Sequence, residues 1–134
     1  MLNLMQKIRP VSTDEDKQTG YETVLKMVEI SKLTQEKGLL ALDKMIERED
    51  CHPFLKAAIP FITEAYEPEL VAEMLTNLVL AGGFTGVELL CRVIMAEAVA
   101  AFQDGMNPAI LKIALLSMLG EKYLQPRPAG ERYA

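Results

Sequence analysis

Between Val87 and Phe102 the apolar residues Val87, Leu90, Ile94, Ala98 and Ala101 recur three or four positions apart. Leu89, Val93, Val99 and Phe102 fill the sides between them. That spacing predicts an α-helix, and apolar residues nearly all round predict a central one. The next stretch, AILKIALLSML, carries one charge, Lys112, between Pro108 and Leu119. It reads as a core helix, with one face meeting another chain as the alternative.

Punctuation residues divide the rest. Thr19-Gly20-Tyr21-Glu22 fits a capping box and predicts a first helix from there to about Glu49. Pro53 and Glu67-Pro68-Glu69 mark the starts of a second and a third, with proline suited to a first turn. Pro60 lies inside the second, where it should kink or split the helix. AGGFTG, residues 81–86, is the clearest break, and Thr85-Gly86-Val87-Glu88 repeats the capping-box pattern before the fourth helix. Gly105 ends that helix, Asn107-Pro108 opens the last one, and Gly120 stops it. No segment alternates with a period of two, so the expected fold is all-α, a compact bundle of about five helices. Residues 1–18 read as a polar lead-in, 19–120 as a single helical domain, and 121–134 as a flexible tail.

The first predicted helix has two unlike faces. Glu22, Glu29, Glu36, Asp43 and Asp50 recur every seven residues and predict an acidic stripe. Roughly opposite lie Ser31, Thr34, Gly38 and Ala41. Glycine in a helix interior costs about 1 kcal/mol relative to alanine. A seam of small residues that lets another helix approach closely would offset that cost through added packing.

Charge narrows the partners. The formal net charge is −5, with 14 acidic and 9 basic residues up to Glu73 and 5 of each beyond it (counted from the sequence). An excess of acid in the first half argues against nucleic acid and anionic membrane surfaces, which need clustered Lys and Arg. It suits a basic protein partner. The longest charge-free run, Met74 to Val87, is 14 residues, against about 20 for a membrane-spanning helix. No membrane insertion is expected. MLNLMQKIRPVSTDEDK turns polar too soon for a secretory leader, so a cytoplasmic location is expected, with Cys51 and Cys91 as free thiols.

Candidate chemistry is thin. In Glu47-Arg48-Glu49-Asp50-Cys51-His52 adjacent side chains would have to converge on one ion, and His52-Pro53 has the form of a helix start. There is no Glu-x-x-His pair for a di-iron site and no glycine-rich phosphate loop after a strand. Glu64 and Glu67 read as a solvated face. The expectation is a non-catalytic protein with no metal and no cofactor. Met27, Met45, Met74 and Met95 fall at apolar helix positions and read as core, whereas Met106 is a candidate for exposure.

One phrase points further. QEKGLLALDKMIEREDCHPFLKAAIPFITEAYEPELVAEML resembles the cytoplasmic loop of the MotA family of flagellar stator subunits, in which an Ala-Arg-x-x-Gly-Leu-Leu-Ala-Leu-Glu phrase precedes an acidic stretch. Gly38, Leu39, Leu40, Ala41, Leu42 and Asp43 fit that phrase. RVIMAEAVAAFQDGMNPAILKIALLSML resembles the family's segment after its last membrane helix, with Glu97, Ala100, Gln103, Gly105, Asn107 and Pro108 in the family's order and spacing. The chain has none of the family's membrane helices, and AGGFTG stands where the second pair would be. The resemblance implies a soluble interaction module that binds a flagellar rotor or stator component. Its contact residues would be Asp43, at the family's Glu position, and Gln35, at its Arg position, with Glu36 beside them. A self-assembling homo-oligomer built through the last helix, with no motor role, is the alternative.

Overall fold

Thr13 begins the first long helix, six residues earlier than the pattern at Thr19 suggests. Its hydroxyl accepts from the Asp16 amide at 3.0 Å, and its own amide donates to the Asp16 carboxylate at 3.2 Å. Three consecutive acids, Asp14, Glu15 and Asp16, sit in the first turn, where the positive end of the helix dipole favours them. The computed structural model describes residues 2–8, 10 and 12–125. Within them the chain forms α1 (Leu4–Lys7), α2 (Asp14–Lys37), α3 (Ala41–Met45), α4 (Pro53–Thr63), α5 (Pro68–Ala81), α6 (Gly86–Asp104), α7 (Pro108–Ser117) and a 3₁₀ turn at Glu121–Leu124. No strand occurs among the described residues. The fold is all-α, and α2, α4, α5, α6 and α7 are the five helices of ten residues or more.

The expected starts at Pro53, Pro68 and Pro108 hold. Each proline occupies a first turn, where its missing N–H is not needed. Asn107 Oδ1 caps α7 by accepting from the amides of Ala109 at 2.8 Å and Ile110 at 3.4 Å. Pro60 does not split α4, which runs on to Thr63. Thr85 precedes α6 but its side chain makes no cap hydrogen bond, so the second predicted box does not form.

The single helix expected from Thr19 to Glu49 is not continuous. It ends at Lys37, because Gly38 takes φ +82°, a conformation that residues with a Cβ rarely adopt. The chain turns there and restarts as the short α3. No helical seam of Ser31, Thr34, Gly38 and Ala41 therefore exists. Ser31 is buried, but Gly38 is exposed, and a Cβ on it would meet nothing within 4 Å. Thr34 turns its hydroxyl back to donate to the Ser31 carbonyl oxygen at 2.8 Å. The small residue that does permit close approach on α2 is Gly20, where a Cβ would lie 3.0 Å from Leu119 and 3.1 Å from Leu90.

Helix α6 is central, as its sequence predicts. It packs against α2, α4, α5 and α7, and α1 lies on it as well. Val93, Ile94, Ala96, Ala98 and Val99 are wholly buried. Burying a side chain the size of Val93, Ile94 or Val99 contributes about 1.5–3 kcal/mol, and an alanine methyl less, so α6 contributes heavily to tertiary stability. Both ends of the described chain close on this framework. Leu4, in the expected lead-in, is fully buried. At the other end, Tyr123 is buried with its ring 6.1 Å from that of Tyr21, so the expected tail carries structure as far as Leu124. The remainder of that tail, residues 126–134, lies outside the described residues. No helix among the described residues is long and apolar enough to cross a membrane.

Candidate interaction surface

The break at Gly38 creates the most conspicuous surface feature. Having left α2, the chain presents Leu40 at the start of α3 with 72% of its surface exposed. Its neighbours divide their labour. Leu42 is completely buried and anchors α3 to the core, while Leu39 is half-buried against it. Leu40 is thus held outward on an anchored corner. Glu36 and Asp43 are exposed on either side of it in the chain. A shallow groove of about 400 Å³ beside Leu40 is edged by Lys37, Lys44 and Arg48. An exposed apolar residue beside a groove edged by cations, with exposed acids nearby in the chain, has features of a docking anchor with a polar rim.

The expected acidic stripe is broken by the same turn. Glu22, Glu29 and Glu36 lie on α2, Asp43 lies on α3, and Asp50 follows it in a loop. Two of the five are paired locally. Lys32 reaches Glu29 at 3.5 Å, and the Arg48 guanidinium donates to both oxygens of Asp50 at 3.0 and 2.8 Å. Exposed pairs of this kind add little stability, but they reduce the net charge that Glu29 and Asp50 offer a partner. Glu22, Glu36 and Asp43 remain.

The second phrase lies beside the first. Gly105 takes φ +71° at the end of α6, and the Met106 amide donates back to the Ala101 carbonyl at 3.1 Å, closing a Schellman turn. Gln35 Nε2 donates to the Gly105 carbonyl oxygen at 3.3 Å, joining the end of α2 to this turn. Gln103 Nε2 donates to the Tyr66 carbonyl oxygen at 2.8 Å and holds the loop before α5. Gln103, Gly105, Asn107 and Pro108 therefore have structural work: tethering, reversing and restarting the chain. Met106, the candidate for exposure, is half-buried against the core; Met27 and Met95 are buried, and Met45 and Met74 are half-buried.

A larger groove, about 830 Å³, runs between α2, the α3–α4 loop and the first half of α6. Both cysteines and the only histidine line it, with Met27, Met45 and Met95. His52 Nδ1 accepts from the Phe54 amide at 3.0 Å and so caps α4. Burial lowers the His52 pKa, and the charges of Arg92 and Lys26 lower it further against an opposing pull from Glu88. Burial pushes the Cys51 thiol up, away from the thiolate form that nucleophiles need. Cys91 Sγ receives the Thr23 hydroxyl at 3.3 Å. Among the described residues no group of three or more His, Cys, Asp or Glu is placed to hold a metal ion.

These features define an all-α protein that displays an apolar anchor at a helix corner. No protein-family model matches the chain, and neither a curated protein nor a solved structure matches it. The likeness to the MotA cytoplasmic region rests on the two phrases quoted above.

Proposed function

We propose that the chain is a non-catalytic protein-docking module whose contact surface is the corner between α2 and α3, and that its partner is a flagellar rotor or stator component. The observation that carries the reading is Leu40, exposed on an anchored turn, with exposed Glu36 and Asp43 close to it in the chain. The resemblance to MotA supplies the partner class, and the Gln35–Gly105 hydrogen bond supports it by setting the two resembling phrases side by side. The module acts in the cytoplasm. Its partner offers an apolar pocket with basic residues facing Glu36 and Asp43, and acidic ones facing Lys37 and Lys44.

The test is a binding titration of the purified chain against purified rotor and stator proteins of its own organism, at low and at moderate salt. Affinity that falls with salt, and falls again in Leu40→Ala and in Glu36→Lys/Asp43→Lys, supports the reading. Affinity that the corner substitutions leave unchanged removes the corner from the account.

A second reading has its own observation. Ile110 and Ile113 on α7 are 59% and 61% exposed, so α7 offers an apolar face for self-assembly. Sedimentation of the chain as a monomer at high concentration would rule that reading out.

A further inference from the structure

A buried carboxylate needs partners, and those of Glu97 come from the far end of the chain. Glu97 lies on α6 and is 3% exposed. Its Oε1 accepts from the Leu2 amide, and its Oε2 from the Leu4 amide at 3.3 Å. Two main-chain amides can converge on one carboxylate because Asn3, between them, takes the left-handed conformation with φ +58°. Main-chain amides brought together around a left-handed residue form a concave anion-binding site. Here the anion is a side chain of the same protein.

Apolar contacts complete the attachment. Leu4 is fully buried, and Leu2, Met5 and Ile8 pack against the core. Yet α1 is only four residues long, and α6 is the helix it packs on. A short segment held to one helix is the kind of unit that opens without global unfolding. Once it leaves, α6 is left with an apolar slot and a carboxylate whose amide donors have gone. That slot recognises main chain through Glu97 and side chain through the Leu4 site.

We propose that the slot on α6 is a peptide-binding site, which the chain's own residues 2–8 occupy as a competing cover. The ligand it fits is a short peptide with leucine-like residues two positions apart. Between them stands a residue that tolerates positive φ, Asn or Gly, so that two amides reach Glu97. Binding such a peptide displaces the cover, and the cover sets the threshold. This site is separate from the α2–α3 corner and stands or falls without it.

The probe is a fluorescein-labelled peptide of residues 1–9 added to the full chain, followed by fluorescence anisotropy. Saturable binding is expected. Weakening the cover must tighten it, because apparent affinity rises with the fraction of open sites. Leu4→Ala in the chain should improve peptide affinity about tenfold or more by that relation. Asn3→Ala, which strains the cover without touching the core, should act in the same direction and keeps the test alive if Leu4→Ala fails to fold. Glu97→Gln added to either variant should weaken the peptide again. Hydrogen exchange supplies a second readout: the amides of residues 2–8 should exchange faster than those in the middle of α6. An absence of peptide binding, or equal affinity for the parent chain and a folded cover variant, overturns the proposal. So does exchange of residues 2–8 no faster than that of α6.

Discussion

Gln35 Nε2 donates to the carbonyl oxygen of Gly105 at 3.3 Å, tying the last turn of α2 to the turn that ends α6. The two residues are 70 positions apart, and Gln35 is exposed. Removing the tether with Gln35→Ala should lower stability by no more than about 0.5–1.5 kcal/mol, the net worth of one neutral hydrogen bond. Urea unfolding followed by circular dichroism measures this, and a larger loss would mean that the turn depends on the tether.

Gly38 and Gly20 make opposite demands, one on the backbone angle and the other on space. Gly38→Ala has room for its methyl but must adopt φ +82° with ψ 170°, a region almost confined to glycine, which should destabilise by about 1–3 kcal/mol. Gly20→Val has a normal helical backbone but drives its side chain into Leu119 and Leu90. Overpacking of that kind should lose about 1–3 kcal/mol. Should Gly38→Ala prove stabilising, a helix running unbroken past residue 38 would be the better description.

The His52 cap predicts a pH dependence with a definite sign. A base whose pKa is lowered on folding binds fewer protons folded than unfolded, so stability rises with pH across that window. The His52 contribution should be complete above about 6.5, the ordinary histidine value, and should be lost as pH falls from there toward the lowered folded value. Protonation at Nδ1 also removes the acceptor for the Phe54 amide. His52→Asn keeps a capping oxygen that does not titrate. Melting temperatures from pH 8 to pH 5 should therefore fall less for this variant than for the parent. Parallel curves would disconnect His52 from acid sensitivity.

The α2–α3 corner should be dispensable for folding. Leu40→Ala and Asp43→Lys alter exposed side chains, and substitutions at such positions usually change stability by within about 0.5 kcal/mol. Leu42→Ala, two residues from the exposed Leu40, removes a wholly buried side chain and should lose about 2–5 kcal/mol. Thermal melts of the variants would show whether corner and core are as distinct as their burial implies.

Much of this fold is legible in the sequence because the signals are local. Prolines at Pro53, Pro68 and Pro108 start helices for steric reasons that need no distant partner, and the all-round apolar character of α6 declares its place. The structure departs from these signals where two of them compete. Thr19–Glu22 has the familiar capping spacing, but Thr13 pairs with an Asp at the third position and adds two more acids, and the earlier start prevails. The heptad of acids from Glu22 to Asp50 continues through Gly38 without interruption, so periodicity hides a break that only the backbone angle of one residue reveals. At the α2–α3 corner, Glu36 and Asp43 were legible as exposed charges. The exposure of Leu40 was not, since GLLAL carries no mark of which leucine turns outward. The hold of Glu97 on Leu2 and Leu4, and the meeting of Cys51 with Cys91 in one groove, join residues far apart in the chain, and composition cannot report them.

The 3₁₀ turn that buries Tyr123 beside Tyr21 also sets a schedule for the molecule's making. Lys122 lies 3.9 Å from Asp14, so nearly the last described residues cover the opening turns of the first long helix. Contacts of such long sequence separation form late and slow folding. During synthesis the part of α2 around Tyr21 stays uncovered until residues 121–124 have left the ribosome.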